Sequence, residues 1–177
     1  MAGVQDVALI LAVVFAPMLV EARRAAANER AQLARGGVEA GGDVYQLMRV
    51  AYPGAFLLMI VEGTMRGGPS RGFLIVGLAL FLAAKVLKWS AILALGQAWT
   101  FRVITVPRGA LVKTGPYRLF RHPNYVGVAG ELAGVALMSG ALVAGPLAVL
   151  GFGALILKRI TVEERALQAS ALPYPNP

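Results

Sequence analysis

Five apolar stretches divide the chain: Val4–Val20, Val50–Met65, Gly72–Leu95, Tyr125–Val143 and Gly145–Leu157. A helix crossing a bilayer needs roughly 17–25 predominantly apolar residues. The first, third and fourth stretches fall in that range. The second and fifth are shorter, and call for tilt, local thinning of the bilayer or polar flanks at its surface. Backbone groups facing lipid must be hydrogen-bonded within their own segment, so each stretch is expected to be helical. The pattern predicts an all-α, polytopic integral membrane protein of about five transmembrane helices, forming one membrane domain over residues 1–177.

The polar residues between these stretches orient them. Thirteen of the seventeen lysines and arginines fall on one side if the chain starts outside. Arg23, Arg24, Arg30, Arg35 and Arg49 follow the first stretch, and Arg102, Arg108, Lys113, Arg118 and Arg121 lie between the third and fourth. Lys158, Arg159 and Arg165 follow the fifth. Only Arg66 and Arg71 sit opposite, while Lys85 and Lys88 lie inside the third stretch. Basic residues concentrate in cytoplasmic loops, which predicts an outside N-terminus and a cytoplasmic C-terminus in the inner or plasma membrane. The last two stretches then form a hairpin turning near Gly145-Pro146, and its two cytoplasmic ends, near residues 122 and 163, return to the same surface. Residues 1–70 read as N-terminal helices and a cytoplasmic connector, whose GGVEAGGD run is glycine-rich and expected to be a flexible linker.

Composition narrows the chemistry. Hydrophobic residues make up 58% of the chain and charged residues 15%, against about 25% in soluble domains. With no cysteine and one histidine, a disulfide framework, a thiol nucleophile and a Cys/His zinc site are excluded, and no metal is expected. The N-terminal MAGVQDVALILAVVF lacks the basic start of a secretory signal and reads as a helix that stays in place. The net charge of +8 follows the ends of the apolar stretches, so no nucleic-acid partner is expected; the partners are a bilayer and a small molecule. GFGALI, from Gly151, lies within an apolar stretch, follows no strand and lacks a third glycine, so helix packing explains it better than nucleotide binding.

The rare side chains gather in one place. GPYRLFRHPNYVG, Gly115 to Gly127, holds two arginines, the only histidine, two tyrosines and two prolines. Pro107, Pro116 and Pro123 interrupt any helix around it. Pro123 suits the first turn of the fourth helix, where its missing N–H costs nothing. His122 and Tyr125 then flank the positive end of that helix, and Gly115 and Gly127 allow close backbone approach. A second polar cluster, KRITVEER, follows the fifth stretch. Within it Arg159 and Glu163 share a helical face, with Glu164 next to them.

LALGQAWTFRV, then LVKTGPYRLFRHPNYVG, then RITVEE resemble the isoprenylcysteine carboxyl methyltransferase family and, more widely, phospholipid methyltransferases. The likeness spans residues 85–167, the expected catalytic region. It implies a membrane-embedded methyltransferase that binds S-adenosyl-L-methionine near the cytoplasmic surface. Carried over residue by residue, it assigns cofactor contacts to Leu111, Val112, Gly115, Tyr117, His122, Tyr125, Gly127, Glu163 and Glu164, with Arg159, Glu164 and Arg121 at the reaction itself. The chemistry agrees. Carboxylates suit the amino group of that cofactor, an arginine or helix N-terminus its carboxylate, and apolar side chains its adenine.

Glu131, Lys88 and Trp99 are candidates for the acceptor pocket. Glu131 lies where a carboxylate is costly, and its alternative is an ion pair with Lys85 or Lys88. Glu62 is expected at the outer surface. Tyr117, Tyr125, Arg118 and Arg121 have alternative readings as interface aromatics and anchoring charges. The family's longer members continue past the carboxylate pair, whereas EERALQASALPYPNP is short, so a lid from the tail is expected to be missing or reduced. The function expected is methyl transfer to a carboxyl or hydroxyl oxygen of a lipophilic acceptor. Alternatives are a phospholipid N-methyltransferase, a sterol-reductase-like enzyme using NADPH, or a non-catalytic small transporter or assembly subunit.

Overall fold

The computed structural model describes residues 4–107 and 111–171. Arg108, counted above among the basic residues, and the tail from Leu172, where the reduced lid was expected, lie outside the described residues.

Five helices carry the fold: α1 (Val4–Ala34), α2 (Tyr45–Met65), α3 (Arg71–Leu95), α4 (Pro123–Ser139) and α5 (Ala144–Ala171). Four of them contain an apolar stretch whole, while the fourth stretch, drawn to Val143, overruns α4 at Ser139; the outer limits differ too. Helix α1 runs fourteen residues past Val20, and α5 fourteen past Leu157. Hydropathy marks where a helix meets lipid, while charged and alanine-rich turns beyond it still propagate helix. By length and composition, three of the described helices can cross a membrane: Tyr45–Met65, Arg71–Ala98 and Ala144–Ser170. The last is long enough to remove the mismatch expected of the fifth stretch. The chain is an integral membrane protein.

Helix α4 starts at Pro123 and stops at Gly140, whose φ of 72° terminates the helix in a left-handed turn. Its tight partner is α3. A Cβ on Gly77 would lie 2.4 Å from the Met138 nitrogen, and one on Gly134 would lie 2.7 Å from the Phe81 nitrogen. Small residues let the two backbones approach where side chains of ordinary size would hold them apart. The main core joins Val14 of α1, Phe56 and Met59 of α2, Phe81 of α3, Leu132 and Val135 of α4, and Phe152 of α5. At the far end of the bundle, Glu62 accepts hydrogen bonds from the backbone N–H groups of Val143 (3.0 Å) and Ala144 (2.6 Å), which caps the start of α5.

The opposite end is built differently. The extended part of α1 grips the 3-10 turn Gly96–Ala98 that follows α3. Asn28 donates to the carbonyls of Gly96 (3.0 Å) and Trp99 (2.7 Å), and Gln32 to those of Gln97 (3.1 Å) and Ala98 (3.2 Å). The run expected to be a flexible linker is instead tied down. Strand β1 (Val38–Glu39) pairs antiparallel with β2 (Ile104–Thr105), Val38 opposite Thr105. Asp43 adds a bond from the Val103 N–H at 3.0 Å. Backbone pairing between Val38–Glu39 and Ile104–Thr105, far apart in sequence, holds the glycines where local composition alone would leave them loose.

Candidate functional site

At this end α4 and α5 present their first and last polar turns to each other. Tyr125, one turn into α4, donates to Oε2 of Glu163 at 2.7 Å and accepts from Nε of Arg159 at 2.9 Å. His122 caps α4, and its Nε2 lies 3.2 Å from Oε1 of Glu164. Arg121 reaches the same oxygen at 3.2 Å from an exposed position. The hairpin therefore returns its two polar clusters to one surface, as the charge pattern predicts.

Arg159 is the hub. Its side chain is 7% exposed, and its guanidinium donates to Tyr125, to Oδ1 of Asp43 at 2.8 Å and to the carbonyl of Phe101. The planar fork of an arginine suits three fixed acceptors from three segments. Its charge is already balanced by Asp43, so it acts here as a brace for the site.

These residues wall a cavity of about 340 Å³, within the usual range for small-molecule sites. Leu111, Val112, Tyr117, Arg121, His122, Tyr125, Arg159, Glu163 and Trp99 all line it. Nine positions singled out in the sequence thus meet on one concave surface, joined by Leu95 and Ile104 as further apolar wall. Only one carboxylate oxygen of Glu163 is engaged, by Tyr125; among the described residues Oε1 has no hydrogen-bond partner and is available to a cationic group. Burial pushes the Tyr117 phenol above its ordinary range, and the Glu163 charge adds to the effect. Tyr117 thus stays a protonated donor at any physiological pH.

Other expected residues stand apart from this cavity. Gly127 packs against α3, where an added Cβ would lie 2.8 Å from Cβ of Lys88. Gly115 has φ +57° and turns the chain into the 3-10 segment Gly115–Arg118. Glu164 is outside the cavity wall and touches His122, which is inside it. Glu131 is fully buried and is not part of this cavity's wall; it meets Lys85 at 3.1 Å, Lys88 at 3.4 Å and the hydroxyl of Tyr52. The ion pair weighed in the sequence is therefore formed, and it gains a member from α1, because Glu21 meets Lys85 at 3.0 Å and Lys88 at 2.7 Å.

A second cavity of about 390 Å³ adjoins the first through Trp99, Thr100, Asn124, Tyr125 and Arg159, which line both. It lies between α1 and α2, is mostly apolar (Phe15, Met18, Leu19, Met48, Phe152), and meets the buried polar group at Glu21, Tyr52 and Lys88. Asp43, Glu21 and Tyr52 were not singled out in the sequence. Each has a partner more than 60 positions away: Glu131 for Tyr52, Lys85 for Glu21 and Arg159 for Asp43. The only local signal was an acid following two glycines at the start of α2.

Residues 76–169 match the family model described as the isoprenylcysteine carboxyl methyltransferase (ICMT) family. The chain is 30% identical over 161 residues to an uncharacterized protein of Bacillus subtilis (strain 168), YpbQ, covering 90% of this chain and 95% of that one. It is 26% identical over 165 residues to an uncharacterized protein of Haemophilus influenzae, covering 90% and 91% respectively. No solved structure matches. The chain belongs to the isoprenylcysteine carboxyl methyltransferase family, a family of membrane methyltransferases.

Proposed function

We propose that this member of the family transfers a methyl group from S-adenosyl-L-methionine to an oxygen of a lipophilic acceptor. The observation that carries the reading is the shared wall of two cavities: one of mixed polarity beside a half-free carboxylate, and a mostly apolar one between α1 and α2, meeting at Trp99, Tyr125 and Arg159. The residues of the first cavity fit the donor. Glu163 Oε1 would take its amino group, Leu111, Val112 and Ile104 would cover its adenine, and Tyr117 and His122 would close the sides. When bound, the donor supplies a methyl group made electrophilic by its sulfonium.

The protein's part is positioning. Arg159, fixed by Asp43, holds Tyr125 and through it Glu163. Glu164 orients His122 with help from Arg121. Methyl transfer needs donor and acceptor in line and water excluded; fixed orientation of this kind supplies about 7–11 kcal/mol of barrier lowering. All five helices are taken to lie in the bilayer, with the basic end and the donor cavity cytoplasmic. The thirteen-to-two distribution of flanking basic residues supports that orientation. The acceptor enters sideways through the apolar cavity.

Calorimetry tests the donor site. Purified protein in detergent should bind S-adenosylhomocysteine, while His122→Ala and Glu163→Gln should weaken that binding by about tenfold or more and keep their helical circular dichroism. Unchanged affinity in both variants would refute the site.

A further inference from the structure

The group of Glu21, Lys85, Lys88 and Glu131 takes no part in the donor site, yet it is the costliest polar feature of the molecule. Two carboxylates and two ammonium groups from three helices are withdrawn from water, with side chains 0–10% exposed. Inside a membrane protein such a group marks function more often than support. Two details separate it from a plain ion-pair lock. Oε2 of Glu131 receives Lys85, Lys88 and the Tyr52 hydroxyl together, while Oε1 of the same buried carboxylate has no partner. Glu131 thus has an open lone-pair site in a dry place. Tyr52 also lines the apolar cavity, so its phenol connects that cavity to Glu131.

Resting on the methyl-transfer reading, we propose that Tyr52 and Glu131 are the proton acceptor for a hydroxyl-bearing lipid. In the step, the O–CH₃ bond forms as the S–CH₃ bond breaks, its electron pair staying on sulfur. The acceptor's O–H proton passes to the Tyr52 oxygen, and the Tyr52 proton to Glu131. A carboxylate acceptor would need no such base, and would instead need a spare cation beside it. Both lysines are engaged by carboxylates, and Arg159 is held by Asp43. Among the described residues Arg49 is the one cation lining this cavity without an ion pair, and it is exposed, where water screens its pairing with a carboxylate to about 0–1 kcal/mol. The charged and titratable groups around the cavity are therefore Glu21, Lys85, Lys88, Glu131, Tyr45, Tyr52, Tyr125, Arg159 and Arg49; of the two phenol–carboxylate pairs, Tyr125 with Glu163 belongs to the donor site, which leaves Tyr52 with Glu131 to pass a proton inward.

Two measurements test this. First, a long-chain 4-nitrophenol is titrated in the cofactor-free protein, its absorbance reporting where its proton resides. Bound probe should ionise at lower pH than in protein-free micelles, and the charge-neutral Tyr52→Phe variant should reverse that by about one pH unit, a tenfold change. An equal midpoint in protein and micelle, a failure to bind, or indifference to Tyr52→Phe overturns the proposal. Second, with methyl-labelled donor, 3-pentadecylphenol should be methylated in preference to palmitate and phosphatidylethanolamine. Tyr52→Phe should slow that reaction by about 100-fold or more at pH 7, with recovery as pH approaches the phenol's own ionisation near 10. Preference for palmitate or phosphatidylethanolamine, no label on any of the three, or an equal loss at every pH overturns it. Should Tyr52→Phe fail to fold, Glu131→Gln carries the rate test. Wild-type protein that does not bind S-adenosylhomocysteine would sink the methyl-transfer reading instead, and leaves the nitrophenol titration to decide the proton acceptor separately.

Discussion

Two polar clusters lie on either side of the apolar cavity, and they are built on opposite principles. Around Lys85 and Lys88, each ammonium touches two carboxylates and the side chains are sealed from solvent. Around Glu163 and Glu164, the carboxylates are partly exposed, one oxygen stays open, and one arginine partner, Arg121, is 85% exposed. A sealed cluster must be balanced within the protein, because any uncompensated charge has only hydrocarbon for solvent. An open one leaves part of its balance to a ligand. Arg159 joins the two designs: sealed like the lysines, yet spending its bonds on the wall of the donor cavity.

The contrast breaks most visibly at Glu21. Glu21→Ala would leave two buried ammonium groups sharing Glu131 alone. Removing one partner of a buried ion pair costs about 3–5 kcal/mol, so thermal unfolding in detergent should show a large drop in melting temperature. Affinity for S-adenosylhomocysteine in the surviving folded protein should be near that of wild type. A melting temperature equal to wild type would mean that the cluster is not sealed.

Glu163→Gln should do the reverse. Its loss removes a charge-assisted bond to a ligand cation, worth about 1.5–3 kcal/mol, or roughly a ten- to hundredfold loss in affinity. Tyr125 keeps a carbonyl oxygen to donate to, so the melting temperature should barely move. A variant that melts early while binding normally would place Glu163 with the sealed group.

Legibility in the sequence divided along the same line. The open cluster was readable because its residues are rare in so apolar a chain and stand in short runs, His122-Pro123 to Tyr125 and Arg159 to Glu164. Helical spacing alone put Arg159 and Glu163 on one face. Lys85 and Lys88 were visible as oddities within an apolar stretch, and Glu131 as their potential partner. Glu21 was not, since it sits at the end of an apolar stretch followed by Arg23 and Arg24, where an acid reads as an ordinary flank. Asp43 was lost in a glycine-rich run whose order comes from β2, some sixty residues on. At Gly127 close backbone approach was the right inference, and the body that approaches is α3.

The smallest effect is expected at Arg121, and it is the finest test of the distinction. Arg121 was expected at the reaction itself, and the structure sets it at the cavity edge, paired at 3.2 Å with an oxygen that also contacts His122. An exposed pair of this kind contributes about 0–1 kcal/mol and weakens with salt. If Arg121 only steadies Glu164, Arg121→Ala should leave the melting temperature unchanged and weaken S-adenosylhomocysteine binding a few-fold at most. That small loss should disappear at 1 M salt, where the Debye length is about 3 Å and wild type has lost the same interaction. A loss of a hundredfold or more that persists at high salt would mean that Arg121 turns inward to touch the ligand. The open cluster would then be closed by its ligand as thoroughly as the lysines are closed by Glu21.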